Sequence, residues 1–291
     1  MQTPDIKQQV REFYDQVGWQ QVSQGTYQNA RYEDLRPVSH EYIHRCHLRV
    51  KRFLKPAGRY LLDAGSGPVQ YPEYLTYSQG FSYRVCADIS MVALQEARKR
   101  LGDRGLYVVA DVANLPFRAG VFESTVSLHT LHHLPPQDHA RAYAEIFRTL
   151  AAESPAVIVN GWTVSPLMVR LGGMVRLAER LNGAAKRFRG GEPEKFAAEA
   201  VPQAVKQPTG TFIQKYDPDW LAATLGKKIP YEIRCWRSVS VRFLRAVIHP
   251  ATGGKLWLRA LYFLEERLPH WMGCQGQYPL IILRKNANSE S

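Results

Sequence analysis

Cysteine is scarce in this sequence: Cys46, Cys86, Cys235 and Cys274 stand singly among 291 residues, with no C-x-x-C pair. That spacing points to neither a disulfide framework nor a cysteine zinc site. No window carries 18 uninterrupted apolar residues, so neither a signal peptide nor a transmembrane helix is expected, and cytoplasmic residence is the reading. Internal repeats are missing as well. A more local absence concerns the glycines. Gly65 and Gly67 begin a G-x-G pattern, but the third glycine of G-x-G-x-x-G is replaced by Gln70. A dinucleotide pyrophosphate needs that full pattern at a helix N-terminus. Acids are short in the distal half: residues 163–291 hold 20 Lys/Arg against 10 Asp/Glu, whereas residues 1–162 hold 18 against 16. The net charge of +12 therefore sits almost wholly on the distal half, which suits an anionic small molecule, a membrane surface or a nucleic acid, or simply a solvated basic face.

What is present begins at Tyr60-Leu61-Leu62-Asp63-Ala64-Gly65-Ser66-Gly67-Pro68. The apolar run predicts a buried parallel strand. The glycines permit a tight turn and close approach to a ligand. Gln70 to Leu75 continues as the first turns of a helix. Strand, glycine turn and helix make the nucleotide site of an open α/β sheet. Asp63 lies two residues before the first glycine; its charge repels a phosphate and suits a cationic ligand. A second strand, Arg84 to Asp88, ends in an acid 23 residues after Gly65, where a carboxylate accepts both ribose hydroxyls for roughly 1.5–3 kcal/mol each. Leu106 to Asp111 repeats the pattern, and Ser124 to Leu128 runs into His129-Thr130-Leu131-His132-His133-Leu134-Pro135.

Leu-Asp-Ala-Gly-Ser-Gly resembles the first motif of the class I S-adenosylmethionine-dependent methyltransferases, and the histidine run resembles the post-strand motif of their ubiquinone/menaquinone-biosynthesis (type 11) members. The family usually has a further glycine where Val69 stands. The resemblance implies an α/β fold: a doubly wound, mostly parallel seven-stranded sheet with an antiparallel last strand and helical insertions. It implies S-adenosyl-L-methionine as cofactor, bound by Asp63, Gly65, Ser66, Gly67, Asp88, Ile89, Asp111 (toward the adenine amino group), Val112 and the backbone of His129. Tyr14, on a helix over residues 4–17 with Thr3 as N-cap and Pro4 at its start, is the candidate to close the pocket, with core packing the competing role. His132 or His133 is the candidate general base, histidine being the apt base near neutral pH. No metal is expected. His40-Glu41-Tyr42-Ile43-His44 matches H-E-x-x-H, with His47 beyond it, but it lies on a helix feeding the nucleotide-site strand with no third ligand in spacing.

The chain divides into an N-terminal helical cap (1–57), an S-adenosylmethionine-binding core (58–162), a basic helical insertion or lid (163–216) and a completion of the sheet with an inserted helix (217–286). In the insertion Leu167, Val169, Leu171, Met174, Val175, Leu177 and Leu181 interleave with arginines; packing on the sheet is the first expectation for these residues, peripheral membrane association the second. The expected activity is methylation (O- or C-) of a small hydrophobic or anionic acceptor. A tRNA wobble-uridine-modification enzyme is the alternative, although nucleic acid is the less favoured partner because no RNA-binding module is recognisable. A non-catalytic cofactor-binding protein is the third reading.

Overall fold

The computed structural model describes residues 5–23, 26–188, 211–226 and 228–287. Two layers of helices enclose one seven-stranded sheet. Its strands are β3 (Gly58–Ala64), β4 (Phe81–Asp88), β5 (Gly105–Val109), β6 (Ser124–Leu128), β7 (Pro155–Val159), β8 (Tyr231–Arg237) and β9 (Tyr278–Arg284), after a small ribbon of β1 (Gln21–Ser23) and β2 (Thr26–Tyr27). The sheet order is β5-β4-β3-β6-β7-β9-β8. Neighbours pair in parallel except at β9, which is antiparallel to both β7 and β8. The expected sheet is thus the observed one.

Alternation along the strands explains the two cores. Leu61, Cys86 and Ile282 face one side, Leu62, Ala87 and Ile281 the other, and all are buried. Each fully buried Leu or Ile contributes about 1.5–3 kcal/mol relative to exposure. The first face is covered by α2 (His40–Arg49), α4 (Met91–Leu101), α6 (Pro166–Phe188), α8 (Val241–Val247) and α9 (Gly254–Arg267); α5 (His139–Thr149) and α7 (Pro218–Leu225) cover the second. α1 (Ile6–Phe13), the single turn α3 (Pro72–Leu75) and α10 (Pro269–Gln275) complete the described helices.

Several boundaries differ from the sequence reading, each for a local reason. Thr3 and Pro4 lie outside the described residues; Asp5 caps α1 through its carboxylate on the Lys7 N–H, and the chain widens into a π-helical turn over Tyr14–Gly18. The helix expected from Gln70 starts only at Pro72, which suits N1. The inserted helix expected within 217–286 is divided at Pro250–Thr252, where Gly253 is left-handed. Glu153 has φ 55° in the turn before β7. The largest correction concerns the insertion. Among the described side chains of α6 only Val175 is buried, while Val169, Met174, Leu177 and Leu181 are exposed. The helix packs on α8, through Asn182 on the Ala246 carbonyl and Glu179 on Arg242, and meets the core of that sheet face through Val175 with the half-buried Met168, Leu171 and Ala178, while the rest of its apolar stripe points outward. Residues 189–210 of the expected insertion lie outside the described residues.

Candidate active site

The chain reverses its direction of winding between β3 and β6, and the loops after these two strands open a crevice at their carboxyl ends, where open α/β sheets bind ligands. A cavity of about 380 Å³ occupies it. All twelve residues expected at the site line it: Tyr14, Asp63, Gly65, Ser66, Gly67, Asp88, Ile89, Asp111, Val112, His129, His132 and His133.

The glycine turn is shaped for a ligand. Gly65 has φ 75°, and a Cβ there would stand 2.1 Å from the Thr130 methyl. Gly67 has φ 52°, and its Cβ would meet the Trp19 ring at 3.0 Å. Val69, where a glycine is usual, is also left-handed at φ 53°, an uncommon state for a β-branched residue. His129 shares it at φ 55°. Two strained non-glycine residues thus flank one cavity, as is common at functional sites.

The three strand-end acids have different surroundings. Asp63 faces the cavity, but its carboxylate is held by Arg84 through Nε at 3.0 Å and through Nη2. Both contacts fall on Oδ2, so Arg84 answers part of the charge expected to suit a cationic ligand. Burial raises its pKa despite Arg84. Asp88 accepts the Gly67 N–H at 2.8 Å and the Ser90 N–H at 2.9 Å; burial pushes its carboxyl up to about 6 against these two bonds. No cation pairs with it among the described residues. Asp111 is bridged by Lys7 at 2.5 Å, and Lys7 reaches Asp138 at 2.5 Å as well. Lys7 thereby ties α1 across the cavity.

Aromatic rings form the roof. Tyr14 stacks on Trp19, with centroids 4.9 Å apart. The Phe212 carbonyl lies 2.8 Å from His133 Nδ1 and can only accept, so Nδ1 carries the proton. His133 Nε2 then accepts the Tyr14 hydroxyl at 2.7 Å. Both ring nitrogens of His133 are committed. His132 donates from Nδ1 to Asn160 Oδ1 at 3.2 Å, leaving Nε2 as a lone pair. Burial lowers the pKa of all three histidines: His133 to about 4, His129 to about 3 with help from Arg237, and His132 well below its ordinary value. All are neutral at pH 7. The His129 N–H donates to the Val159 carbonyl at 2.7 Å, so its backbone has only a carbonyl to offer a ligand.

Of the H-E-x-x-H histidines, His40 stacks on His44 while His44 meets a carboxylate, as does His47 beyond the motif. His44 meets Glu73 at 2.5 Å, and His47 lies buried between Glu73 and Glu33. Burial depresses the His47 pKa, but the two glutamates outweigh it and hold the value above the ordinary one. Glu33 in turn pairs with Arg237, and both line the far end of the cavity.

The sequence profile described as "Methyltransferase domain" matches residues 62–158, the span from β3 to β7 that carries the glycine turn, the acids and the histidine run. These residues form a class I methyltransferase domain. Malonyl-acyl-carrier-protein O-methyltransferase of Legionella pneumophila is 32% identical over 103 residues, which is 35% of this chain and 36% of that enzyme. The chain thus spans about a third of the length of the curated relative it matches. Two solved structures share the fold. The 4+2 cyclase SpnF aligns with TM-score 0.50 at 18% identity over 97% of each chain. Phosphoethanolamine N-methyltransferase 1 of Haemonchus contortus aligns with TM-score 0.51 at 7% identity over 87% of this chain and 45% of that one.

Several lining residues of the methyltransferase domain and its flanks lay outside the sequence reading: Lys7, Trp19, Gln70, Thr211, Lys215 and Arg237. Trp19 Nε1, Gln70 Nε2 and Thr211 Oγ1 are buried without a partner. Orphaned donors of this kind are costly unless a ligand or water meets them. S-adenosylmethionine offers a carboxylate, ribose oxygens and ring nitrogens as acceptors. The glycine turn, Asp88 with no cationic partner among the described residues, and the orphaned Trp19 and Gln70 donors fit it.

Proposed function

We propose that the chain transfers a methyl group from S-adenosylmethionine to a small acceptor that is hydrophobic or anionic, by O- or C-methylation. The observation that carries this reading is the single cavity that gathers the glycine turn, Asp88 and Asp111 under the Tyr14–Trp19 roof. When bound, the cofactor supplies a methyl group on a sulfonium, open to in-line displacement. The protein's own part is positioning and exclusion of water. Asp88 would take the ribose hydroxyls, Gly65 and Gly67 would let the backbone approach, and Tyr14 and Trp19 would cover the face. Where the acceptor must lose a proton, His132 is the better base, because its Nε2 is free while His133 is bonded at both nitrogens.

The test is tritiated-methyl transfer from S-adenosylmethionine to cell extract separated into lipid, small-molecule and RNA fractions. Label in the small-molecule or lipid fraction supports the reading. Label confined to RNA would move the chain to the tRNA-modifying alternative, and cofactor binding with no label in any fraction would favour a non-catalytic role.

We further propose that the chain meets an anionic membrane surface. On α9, Leu258, Tyr262 and Glu265 face inward, while Leu256, Trp257, Phe263 and Leu264 on the opposite arc are exposed. α6 repeats this with exposed Val169, Leu177 and Leu181, and both helices cover the same face of the sheet. Exposed Arg170, Arg176, Arg180, Lys255 and Arg267 surround them, complementary to anionic headgroups. Cosedimentation should be strong with phosphatidylglycerol-containing vesicles, weak with phosphatidylcholine alone, and lost in L177S/L181S/W257S. Equal behaviour on both vesicles would end this proposal.

A further inference from the structure

Lys215 is the one charged side chain on the cavity wall with no compensating group among the described residues. Every other charge there is answered. Lys7 has Asp111 and Asp138, Arg237 has Glu33, Asp63 has Arg84, and Asp88 has two backbone N–H groups. The Lys215 ammonium makes no hydrogen bond or ion pair to a described residue, and burial lowers its pKa from the ordinary lysine value with nothing opposing. A partly desolvated ammonium without a counter-ion is unfavourable, and an anionic ligand removes that penalty.

The lysine is also held in place. The strap Thr211–Tyr216 is pinned at three points: the Phe212 carbonyl accepts His133 Nδ1 at 2.8 Å, the Gln214 N–H donates to the His132 carbonyl at 2.8 Å, and the Tyr216 carbonyl accepts the Thr163 N–H at 2.9 Å. Gly161, just past β7, makes room for it: a Cβ there would stand 3.1 Å from Lys215 Nζ and 3.3 Å from Cε. The partnerless Thr211 hydroxyl lies on the same strap. The nearby His129, His132 and His133 are neutral and Arg237 is paired with Glu33, so no other unpaired cation on this wall competes for the ligand.

We infer that Lys215, with Thr211, forms an anion subsite in the acceptor half of the cavity, and that the acceptor carries a carboxylate or phosphate. This rests on the methyltransferase reading above and names the acceptor's chemical class within it. Lys215 acts here as a specificity residue; the anion is a handle, and no bond to it is made or broken.

The experiment is calorimetric titration of the S-adenosylhomocysteine-saturated chain with benzoate, octanoate and phenyl phosphate, against benzamide, octanamide and phenol. The anions should bind about tenfold tighter than their neutral counterparts, with the carboxylate and phosphate arms deciding between the two groups. Lys215→Met should abolish that preference, Lys215→Arg should retain it, and S-adenosylhomocysteine affinity should stay within about twofold in both. Anions that bind no better than neutral ligands overturn the inference, as does a preference that survives in Lys215→Met. Should Lys215→Met fail to fold, the wild-type comparison alone decides. Failure of the chain to bind S-adenosylhomocysteine at all would count against the methyltransferase reading instead, so the two failures are separable.

Discussion

Asp63 and Asp88 occupy equivalent strand ends, yet the residues around them give them different work. Asp63 neutralises a buried arginine, so its removal leaves Arg84 unpaired in the core. Losing one partner of a buried pair costs about 3–5 kcal/mol. Asp63→Ala should therefore be seen first in chemical denaturation, as a large loss of stability; an unchanged midpoint would contradict the pairing. Asp88 has no such partner, and its carboxyl titrates at about 6. Its folded pKa lies above the unfolded value near 3.9. Its contribution to the stability of the free protein is therefore fullest below about pH 4 and is lost as pH rises through about 6. Ligand binding runs the other way, because the ribose hydroxyls need the carboxylate. Affinity for S-adenosylhomocysteine should be flat above about pH 7 and fall toward tenfold per unit below about pH 6. A flat profile down to pH 5 would separate Asp88 from the ligand. Val69 tests the backbone at the same scale. Left-handed geometry costs a non-glycine residue about 1–2 kcal/mol. Val69→Gly should then melt no lower than Val69→Ala, although glycine is elsewhere less stable than alanine by about 0.5–1 kcal/mol.

Among the elements, α1 and the 211–216 strap form the two walls that close over the crevice. α1 is tied by Lys7 to Asp111 and Asp138, and the π-turn after it by Tyr14 to His133. His133 also holds the strap, so one imidazole connects both walls. Partly exposed ion pairs contribute about 0.2–1 kcal/mol each. Lys7→Met should accordingly leave the melting temperature almost unchanged while raising the dissociation rate of S-adenosylhomocysteine about fivefold in stopped-flow fluorescence. An unaltered rate would deny α1 its role as a lid. These elements also mark the limit of what the sequence discloses. Tyr14 is legible because it follows a helical apolar stripe ahead of the first strand. Its partner is 119 residues away, and no local pattern encodes such a meeting. The same holds for Asp63, whose pairing with Arg84 on the neighbouring strand no local pattern shows. Lys215 sits in a stretch with no periodicity at all. Trp19 follows the unrecognised π-turn.

For the whole molecule, the sheet was readable because each strand carries its own signal. β3, β4 and β5 are short apolar runs with an acid within two residues of each carboxyl end, and the glycine turn marks where the winding reverses. The exposed apolar arcs of α6 and α9 were not, since the same leucine spacing describes a buried stripe and an unpartnered one. Only the placement of Val175, Leu258 and Tyr262 against the core shows which arc points outward. The uneven charge, in contrast, was visible directly, and in the folded chain it coincides with those arcs and with Lys215. The account as a whole stands on the cavity being a site for S-adenosylmethionine with Asp88 on its ribose. The most direct measurement is isothermal titration of S-adenosylhomocysteine into the wild-type chain and into Asp88→Asn at pH 7.5. The account predicts saturable one-to-one binding to the wild type, and at least about tenfold weaker binding to the variant, as expected when charge-assisted hydrogen bonds are lost. No heat of binding to the folded wild type, or equal affinity in the variant, would contradict it.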